Sequence, residues 1–393
     1  MTEKDTGLPT PETRHKRKEA FIFMGGAFGI IFLIWLIYYL IFGQFEIYTD
    51  DAYVSGNLVT LMSQVSGTVI QINADDTDFV HQGQTIIKLN PHDTTIAFKR
   101  ARAALAQTVR QTRQWYDNAY QAEATVTLRH ANLIKSQLDL KRRVGLVGER
   151  AISREELQHY QTALQAAEAQ YKIALHQSIA AVSLVNHTHL YTHPAVKRAI
   201  QDFKIAYLNL QRTTIVAPVT GYIAKRSVQV GQNIAVNTPM LAIVPLDAVW
   251  VDANYKESQL SHLRIGQPVT LSADAYDDVT YHGKVVGLNA GTGAAFALLP
   301  PQNATGNWIK IVQRLPVRIS LDPDELKKNP LEIGLSMRVT VNARHHNGKQ
   351  LATISPSQPV YETNVYAHQL ADANKLIHHI LHANAEDVSF KES

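Results

Sequence analysis

From residue 92 to residue 193 the chain contains no proline and only two glycines, Gly145 and Gly148, although the 393-residue sequence holds 15 prolines and 20 glycines. Proline and glycine are the residues that interrupt helices. Their exclusion, with alanine, glutamine, leucine and arginine dominating, leaves helix as the consistent conformation, and the one glycine-marked point reads as a turn. The prediction is an antiparallel helical hairpin. Asp93 is placed to cap the first arm, and Ser153 with Glu156 forms a capping-box pattern for the second. The second arm carries a heptad stripe of Leu157, Tyr160, Leu164, Ala167, Tyr171, Ala174, Ser178, Ala181 and Val185, the 3-4 spacing that keeps one seam facing a partner helix. Leu105, Val109, Thr112, Tyr116, Ala119 and Val126 form the matching seam of the first arm. A first arm over 93–144 would be about 78 Å long at ~1.5 Å per residue. The second arm is expected to break over 186–194 and resume to about 211. A rod of two helices is too thin to enclose an active site and is suited to reach.

The flanks of the rod resemble each other. Upstream, a β-rich run centred on Gly67 is followed by His81-Gln82-Gly83-Gln84 and another strand. Downstream, a run centred on Gly221 is followed by Gln229-Val230-Gly231-Gln232 and another strand. Such an internal repeat, interrupted by the hairpin, predicts one small β domain split into halves, with the rod inserted between them. Beyond it, period-2 alternation over 249–253, 269–273, 315–321 and 337–341 predicts half-buried strands of a small β-barrel, with Pro316 at an edge or a strand start. Residues 345–362 read as a linker and 365–383 as a terminal helix.

Residues 21–42 carry no charge, and a bilayer core needs about 20 apolar residues of helix. Arg14, Lys16, Arg17 and Lys18 precede the run and Glu46, Asp50 and Asp51 follow it. The excess of positive charge before the run places the N-terminus in the cytoplasm and the bulk of the chain outside it. Trp35, Tyr38 and Tyr39 fall towards the outer end. A mean hydropathy of −0.14 leaves room for one span and no polytopic path. The absence of cysteine removes disulfides, thiolate catalysis and cysteine zinc sites, and a net charge of +4 is too weak to indicate nucleic-acid binding. That charge is uneven: residues 92–212 carry 17 Lys/Arg against 9 Asp/Glu, either a solvated coiled-coil face or a match to an acidic partner. No Ser/His/Asp set, paired carboxylates or phosphate loop stands out, so neither an enzyme nor a cofactor is expected. His187, His189 and His193 have spacing that can bind zinc or copper, but no neighbouring carboxylate orients them, and loop histidines are the simpler reading. His378, His379 and His382 fall on the expected terminal helix, with His378 and His382 four apart on one face, and the missing carboxylate discounts a metal role there too.

In order, these parts resemble the membrane fusion protein family, the periplasmic adaptors, of HlyD/EmrA type. The resemblance covers about residues 46–345 and is carried by Thr49-Asp50-Asp51-Ala52-Tyr53-Val54, Met62-Ser63-Gln64-Val65-Ser66-Gly67, the run 249–257 and, most specifically, the run 302–319. It implies a mixed α and β fold: a single transmembrane helix, a lipoyl-like β domain split by a long antiparallel coiled-coil hairpin, then a small β-barrel. The implied boundaries are a cytoplasmic tail at 1–20, the span at 21–42, lipoyl-like halves at 46–91 and 213–245, the hairpin at 92–212 with its tip at about 143–153, the barrel at 246–345 and a tail at 346–393. It also implies a homo-oligomeric adaptor in the inner membrane of a Gram-negative bacterium, joining a major facilitator multidrug exporter to a TolC-type outer-membrane channel. Adaptors that meet such channels carry Arg-x3-Leu-x6-Ser at the hairpin tip, which here falls on Arg142, Leu146 and Ser153. The rivals are an adaptor for a protein-secretion ABC ATPase and a periplasmic tether without transport. A swinging-arm lipoyl carrier is disfavoured, because the hairpin replaces the tip that would present its lysine.

Overall fold

Alternating and breaker-free stretches of this chain fold as separate kinds of element. The structure, a computed structural model, describes residues 11–41, 45–148, 152–276, 278–296, 310, 312–345, 347–353, 355 and 357–385. In chain order the elements are α1 (Pro11–Ile41), β1 (Glu46–Ser55), β2 (Val59–Met62), β3 (Gly67–Ile72), β4 (Phe79–Val80), β5 (Thr85–Leu89), α2 (His92–Gly148), α3 (Arg154–Ser183), α4 (Pro194–Gln211), β6 (Thr214–Val216), β7 (Gly221–Arg226), β8 (Asn233–Ile234), β9 (Pro239–Val244), β10 (Trp250–Lys256), β11 (Pro268–Ala273), β12 (Thr280–Leu288), β13 (Arg314–Leu321), α5 (Pro323–Lys328), β14 (Ser336–Asn342) and α6 (Ala371–Ala385). They divide into two compact units, one of residues 1–59, 220–224 and 242–362, the other of residues 60–219, 225–241 and 363–393.

The first unit holds a closed six-stranded barrel of order β1-β10-β13-β12-β11-β14. The strands alternate apart from irregularities in β1 and β12, and the inward residues, among them Val54, Val251, Tyr255, Leu271, Tyr281, Val285, Ile319 and Val339, form one buried core. Two expectations change here. Residues 46–55, assigned from sequence to the first lipoyl-like half, form β1 and close the barrel by pairing with β10 and β14. Alternation is the same in any half-buried strand, so only pairing reveals which sheet a strand joins. The second change is β12, which no sequence reading marked. Gly283 lets it approach β13: a Cβ there would lie 2.2 Å from the Ser320 carbonyl oxygen. Pro316 is the third residue of β13, and its carbonyl accepts from the Asn289 amide just past the end of β12 (3.0 Å). A closed barrel has no edge, so the start of the strand is the position left to it.

Helix α1 covers most of the charge-free run. Phe21, Phe28, Ile31, Phe32, Leu33 and Trp35 are all exposed, so over residues 20–36 the helix is apolar and, among the described residues, no part of the protein covers it. The span expected over 21–42 ends at Phe42, outside the described residues. Among the described residues no helix is long and apolar enough to cross a membrane.

In the second unit the two halves flanking the hairpin interleave. One sheet has the order β6-β5-β3-β8, so strands from before the hairpin lie between strands from after it. The repeat extends to atomic detail. In His81-Gln82-Gly83-Gln84 the glycine has φ +84°, and the Gln84 Oε1 accepts from the His81 amide at 3.0 Å. In Gln229-Val230-Gly231-Gln232 the glycine has φ +87°, and the Gln232 Oε1 accepts from the Gln229 amide at 3.0 Å. The barrel contains a third copy that sequence reading missed, Arg264-Ile265-Gly266-Gln267, with φ +90° and an Oε1 contact of 2.9 Å. The signal was present as a Gly-Gln pair before a strand. Left-handed φ favours glycine, and the glutamine side chain satisfies an amide that the turn leaves open. Arg226 ties the halves again: it donates from Nε to Asp75 Oδ1 (2.6 Å) and from its amide to Asp76 Oδ1 (2.7 Å).

Candidate docking site at the hairpin tip

Helix α2 runs unbroken for 57 residues, about 86 Å at ~1.5 Å per residue. It starts at His92, whose amide donates to Asn90 Oδ1 (3.0 Å). Asp93, expected as the cap, lies within the first turn, where its charge faces the positive end of the helix dipole. The return arm is α3 followed by α4. Side-chain pairs along the rod run in opposite numerical order: Arg143 with Tyr160, Arg129 with Gln170, Tyr116 with Thr188, Phe98 with Phe203. The arms are therefore antiparallel and in one continuous register. The heptad seam is the buried stripe: Leu105, Val109, Thr112 and Ala119 on α2, with Ala174 and Ser178 on α3. At the root, Phe98, Leu105 and Val109 pack with Val196, Phe203 and Tyr207 of α4 and with Ala373, Ile377 and Ile380 of α6.

The second arm breaks where expected, and the break explains the first histidine cluster. His193 is buried; its Nδ1 accepts from the Ala195 amide (3.2 Å), capping α4, and its Nε2 lies 3.0 Å from the Leu184 carbonyl at the end of α3. The ring is a connector with both nitrogens engaged. His187, at φ +58°, and His189 are exposed on the loop. Among the described residues no group of three or more His, Cys, Asp or Glu is arranged to hold a metal. The possible metal role of His187, His189 and His193 gives way to a helix junction, further held by the Tyr116 and Thr188 hydroxyls at 2.8 Å.

At the far end, residues 149–151 lie outside the described residues, as do the surroundings of the Leu146 side chain. Helix α2 ends at Gly148 and α3 starts at Arg154, so only residues 149–153 separate the two helices. Ser153 has extended backbone (φ −78°, ψ 158°), and its Oγ accepts from the Glu156 amide at 3.0 Å. This is the Ser153 half of the expected capping box. A hydroxyl has one donor and two acceptor sites, so the cap leaves the Ser153 O–H hydrogen available on an exposed residue. Two adjacent arginines part company here. Arg143 stacks its guanidinium 4.0 Å from the Tyr160 ring of α3, which joins the arms just behind the tip, and lies 3.6 Å from Asp139 on its own helix. Arg142 is exposed and makes no ion pair among the described residues. Its planar donor fork suits carboxylates or carbonyls of a partner. Arg143 is the tip residue that sequence reading missed. Its signal was a tyrosine on the facing seam at the matching distance from the turn.

Parts of three segments that carried the family resemblance, 49–54, 249–257 and 302–319, meet elsewhere, at the irregularity in β1 between Thr49 and Ala52. Asp51 pairs with Arg314 Nη1 (2.6 Å) and accepts from Asn254 Nδ2 (3.1 Å), while the Thr49 hydroxyl donates to the Asn254 carbonyl (2.9 Å). Nearby, Arg318 lies over the Trp250 ring at 3.7 Å. These polar residues hold a bulge in place; their strong patterning reflects barrel closure.

Comparison with known proteins agrees with this architecture. Residues 92–213 match the family described as the EMRA alpha-helical hairpin domain, and residues 248–296 match the CusB-like beta-barrel domain. The chain is 48% identical over 353 residues to the multidrug export protein EmrA of Escherichia coli K12, covering 90% of each chain. It is 48% identical over 296 residues to the fatty acid resistance protein FarA of Neisseria gonorrhoeae, covering 75% of each. A solved structure of the periplasmic adaptor protein EmrA aligns over 76% of this chain and 98% of its own, at 18% identity and a TM-score of 0.37. With a continuous coiled-coil hairpin, a barrel closed by its N-terminal strand and near-full-length identity of this order, the chain belongs to the EmrA-type family of membrane fusion proteins, the non-enzymatic periplasmic adaptors.

Proposed function

We propose that this chain is the adaptor subunit of a tripartite multidrug efflux pump in the inner membrane of a Gram-negative bacterium. Residues 21–42 anchor it, with residues 1–20 in the cytoplasm and the remainder in the periplasm. A single anchor supplies no path through the membrane. A proton-driven exporter of the major facilitator class supplies it, and a TolC-type channel crosses the outer membrane. The lipoyl-like halves and the barrel sit near the exporter, and several copies side by side enclose the conduit.

One observation carries this reading: a breaker-free rod about 86 Å long ends by the Ser153 cap, near an exposed arginine that makes no ion pair among the described residues. The names of the relatives, a multidrug export protein and a fatty acid resistance protein, support an amphipathic cargo. Docking uses Arg142, Leu146 and Ser153. The net positive charge of the rod suits an acidic channel mouth.

The test is co-expression of the full chain with its exporter in an efflux-deficient Gram-negative host. Restored tolerance to hydrophobic toxicants and co-purification of a 14-span exporter are the expected results. Unchanged tolerance, or co-purification of an ABC ATPase, overturns the drug-efflux reading. The docking claim separates from it. Arg142→Glu should abolish crosslinking to the channel while circular dichroism is unchanged, and undiminished crosslinking refutes it.

A further inference from the structure

Helix α6 carries Ile377-His378-His379-Ile380-Leu381-His382. Its rotation is fixed by packing. Ala373, Ile377 and Ile380 are buried against α2 and α4, and Arg110 and Arg113 of α2 hold its last turn through Asn384 Oδ1 (2.5 Å) and the Ala385 carbonyl (3.3 Å). Residues four apart on a helix share a face, so His378 and His382 stand together on the exposed side while His379 turns to a different groove, beside Lys99 and Arg102.

We propose that His378 and His382 form a two-histidine site for a late first-row divalent cation of the Zn²⁺, Ni²⁺ or Cu²⁺ class. Their rings lie 4.3 Å apart, tilted by 39°, and the two Nε2 atoms converge to 3.3 Å. An ion bonded to both at ~2.0–2.1 Å would subtend about 107° at that separation, close to tetrahedral. At 3.3 Å one ring can donate a hydrogen bond to the other; a bound cation would replace that single proton and take a lone pair from both nitrogens. The donor set selects the metal class. Imidazole suits Zn²⁺, Ni²⁺ and Cu²⁺, whereas Ca²⁺ and Mg²⁺ require oxygen ligands. Water or an exogenous ligand completes the coordination. The ring of Tyr191, 6.0 Å from that of His382, walls one side.

An ion bridging one turn of α6 binds only when that turn is helical, so occupancy stabilises the helix that packs on the hairpin root. The site thus joins metal availability to the firmness of the rod's base.

The test uses the full chain purified in detergent without a histidine tag. Zn²⁺ titration calorimetry should show one site, weakened about tenfold or more by His378→Gln and by His382→Gln, since loss of even an indirect support costs that much. His379→Gln and the His187→Gln/His189→Gln pair should bind as the parent does. Cu²⁺ spectroscopy should report two imidazole nitrogens in the parent and one in each single variant. Hydrogen exchange in α6 should slow with Zn²⁺ in the parent and stay unchanged in the His378→Gln/His382→Gln variant, whose circular dichroism should match the parent. Parent-like Zn²⁺ binding by that double variant, or no Zn²⁺ binding by the parent, overturns the proposal.

Discussion

Ser153 is asked to do two things, and the geometry says that both are compatible. Its oxygen accepts from the Glu156 amide at 3.0 Å, while its hydrogen remains free to donate to a partner. Two substitutions separate the roles. Ser153→Ala removes both, and loss of an N-cap serine costs about 1 kcal/mol. That cost falls on the first turn of α3, far from the packed root, so it appears as local opening: about fivefold faster exchange of the Glu156 amide at 25 °C. Ser153→Asp keeps the cap, because aspartate caps as well as serine, and its charge favours the helix N-terminus by a further ~0.3–1 kcal/mol. It removes the donor and adds negative charge at the docking surface. Exchange measured by mass spectrometry over residues 154–160, together with crosslinking to the channel, gives the two readouts. Ser153→Asp should retain protection and lose crosslinking. If Ser153→Asp crosslinks as the parent does, the serine is a cap alone and the docking role is refuted.

Other substitutions probe the scaffold. Tyr255 is fully buried in the barrel and its hydroxyl has no hydrogen-bond partner among the described residues; burial pushes its ionisation upward. Tyr255→Phe should stabilise the protein by about 1 kcal/mol in urea denaturation, and destabilisation by that amount contradicts the unpaired hydroxyl. Gly231 has φ +87° with nothing within 4 Å of an added Cβ, so Gly231→Ala should cost only the left-handed backbone penalty, about 1–2 kcal/mol, read in the same assay. Arg226 holds the Asp75 carboxyl below its ordinary value of 3.8, first through their hydrogen bond. A depressed carboxyl contributes stability that is complete above its unfolded pKa and lost as pH falls through the folded one. Asp75→Asn should therefore flatten part of the acid limb of a stability–pH curve below about pH 4, and an unchanged limb would remove this pair from the account.

The hairpin was legible because its information is local. Breaker exclusion, the heptad stripe and the Ser153 cap are all written within a few residues of where they act. The second-arm break was legible from His187 to Pro194, but its meaning was not. Three histidines in a row of eight residues look like a metal pattern until His193 is seen with both nitrogens on backbone groups. Nothing in the spacing specifies which way an imidazole turns.

The barrel marks the same boundary from the other side. Strand β1 alternates like any half-buried strand, and its partners β10 and β14 lie about 200 and 290 residues away in sequence. Strand β12 was obscured by Gly283 and Gly287, which dilute its alternation; close approach to Ser320 accounts for the first. The tip motif shows the division within two residues. The motif spacing marked Arg142 but assigned no role to the adjacent Arg143, whose role rests on Tyr160 and Asp139.

By itself the sequence determined the helix periods, the turns that need glycine, the caps and the order of the parts, because each depends on backbone preference over one or two turns. Only the tertiary structure decided which strands close the barrel, which arginine is spent on the rod, and which histidines converge. Those outcomes depend on groups that the chain brings together across tens to hundreds of residues, and spacing along the chain does not encode direction in space.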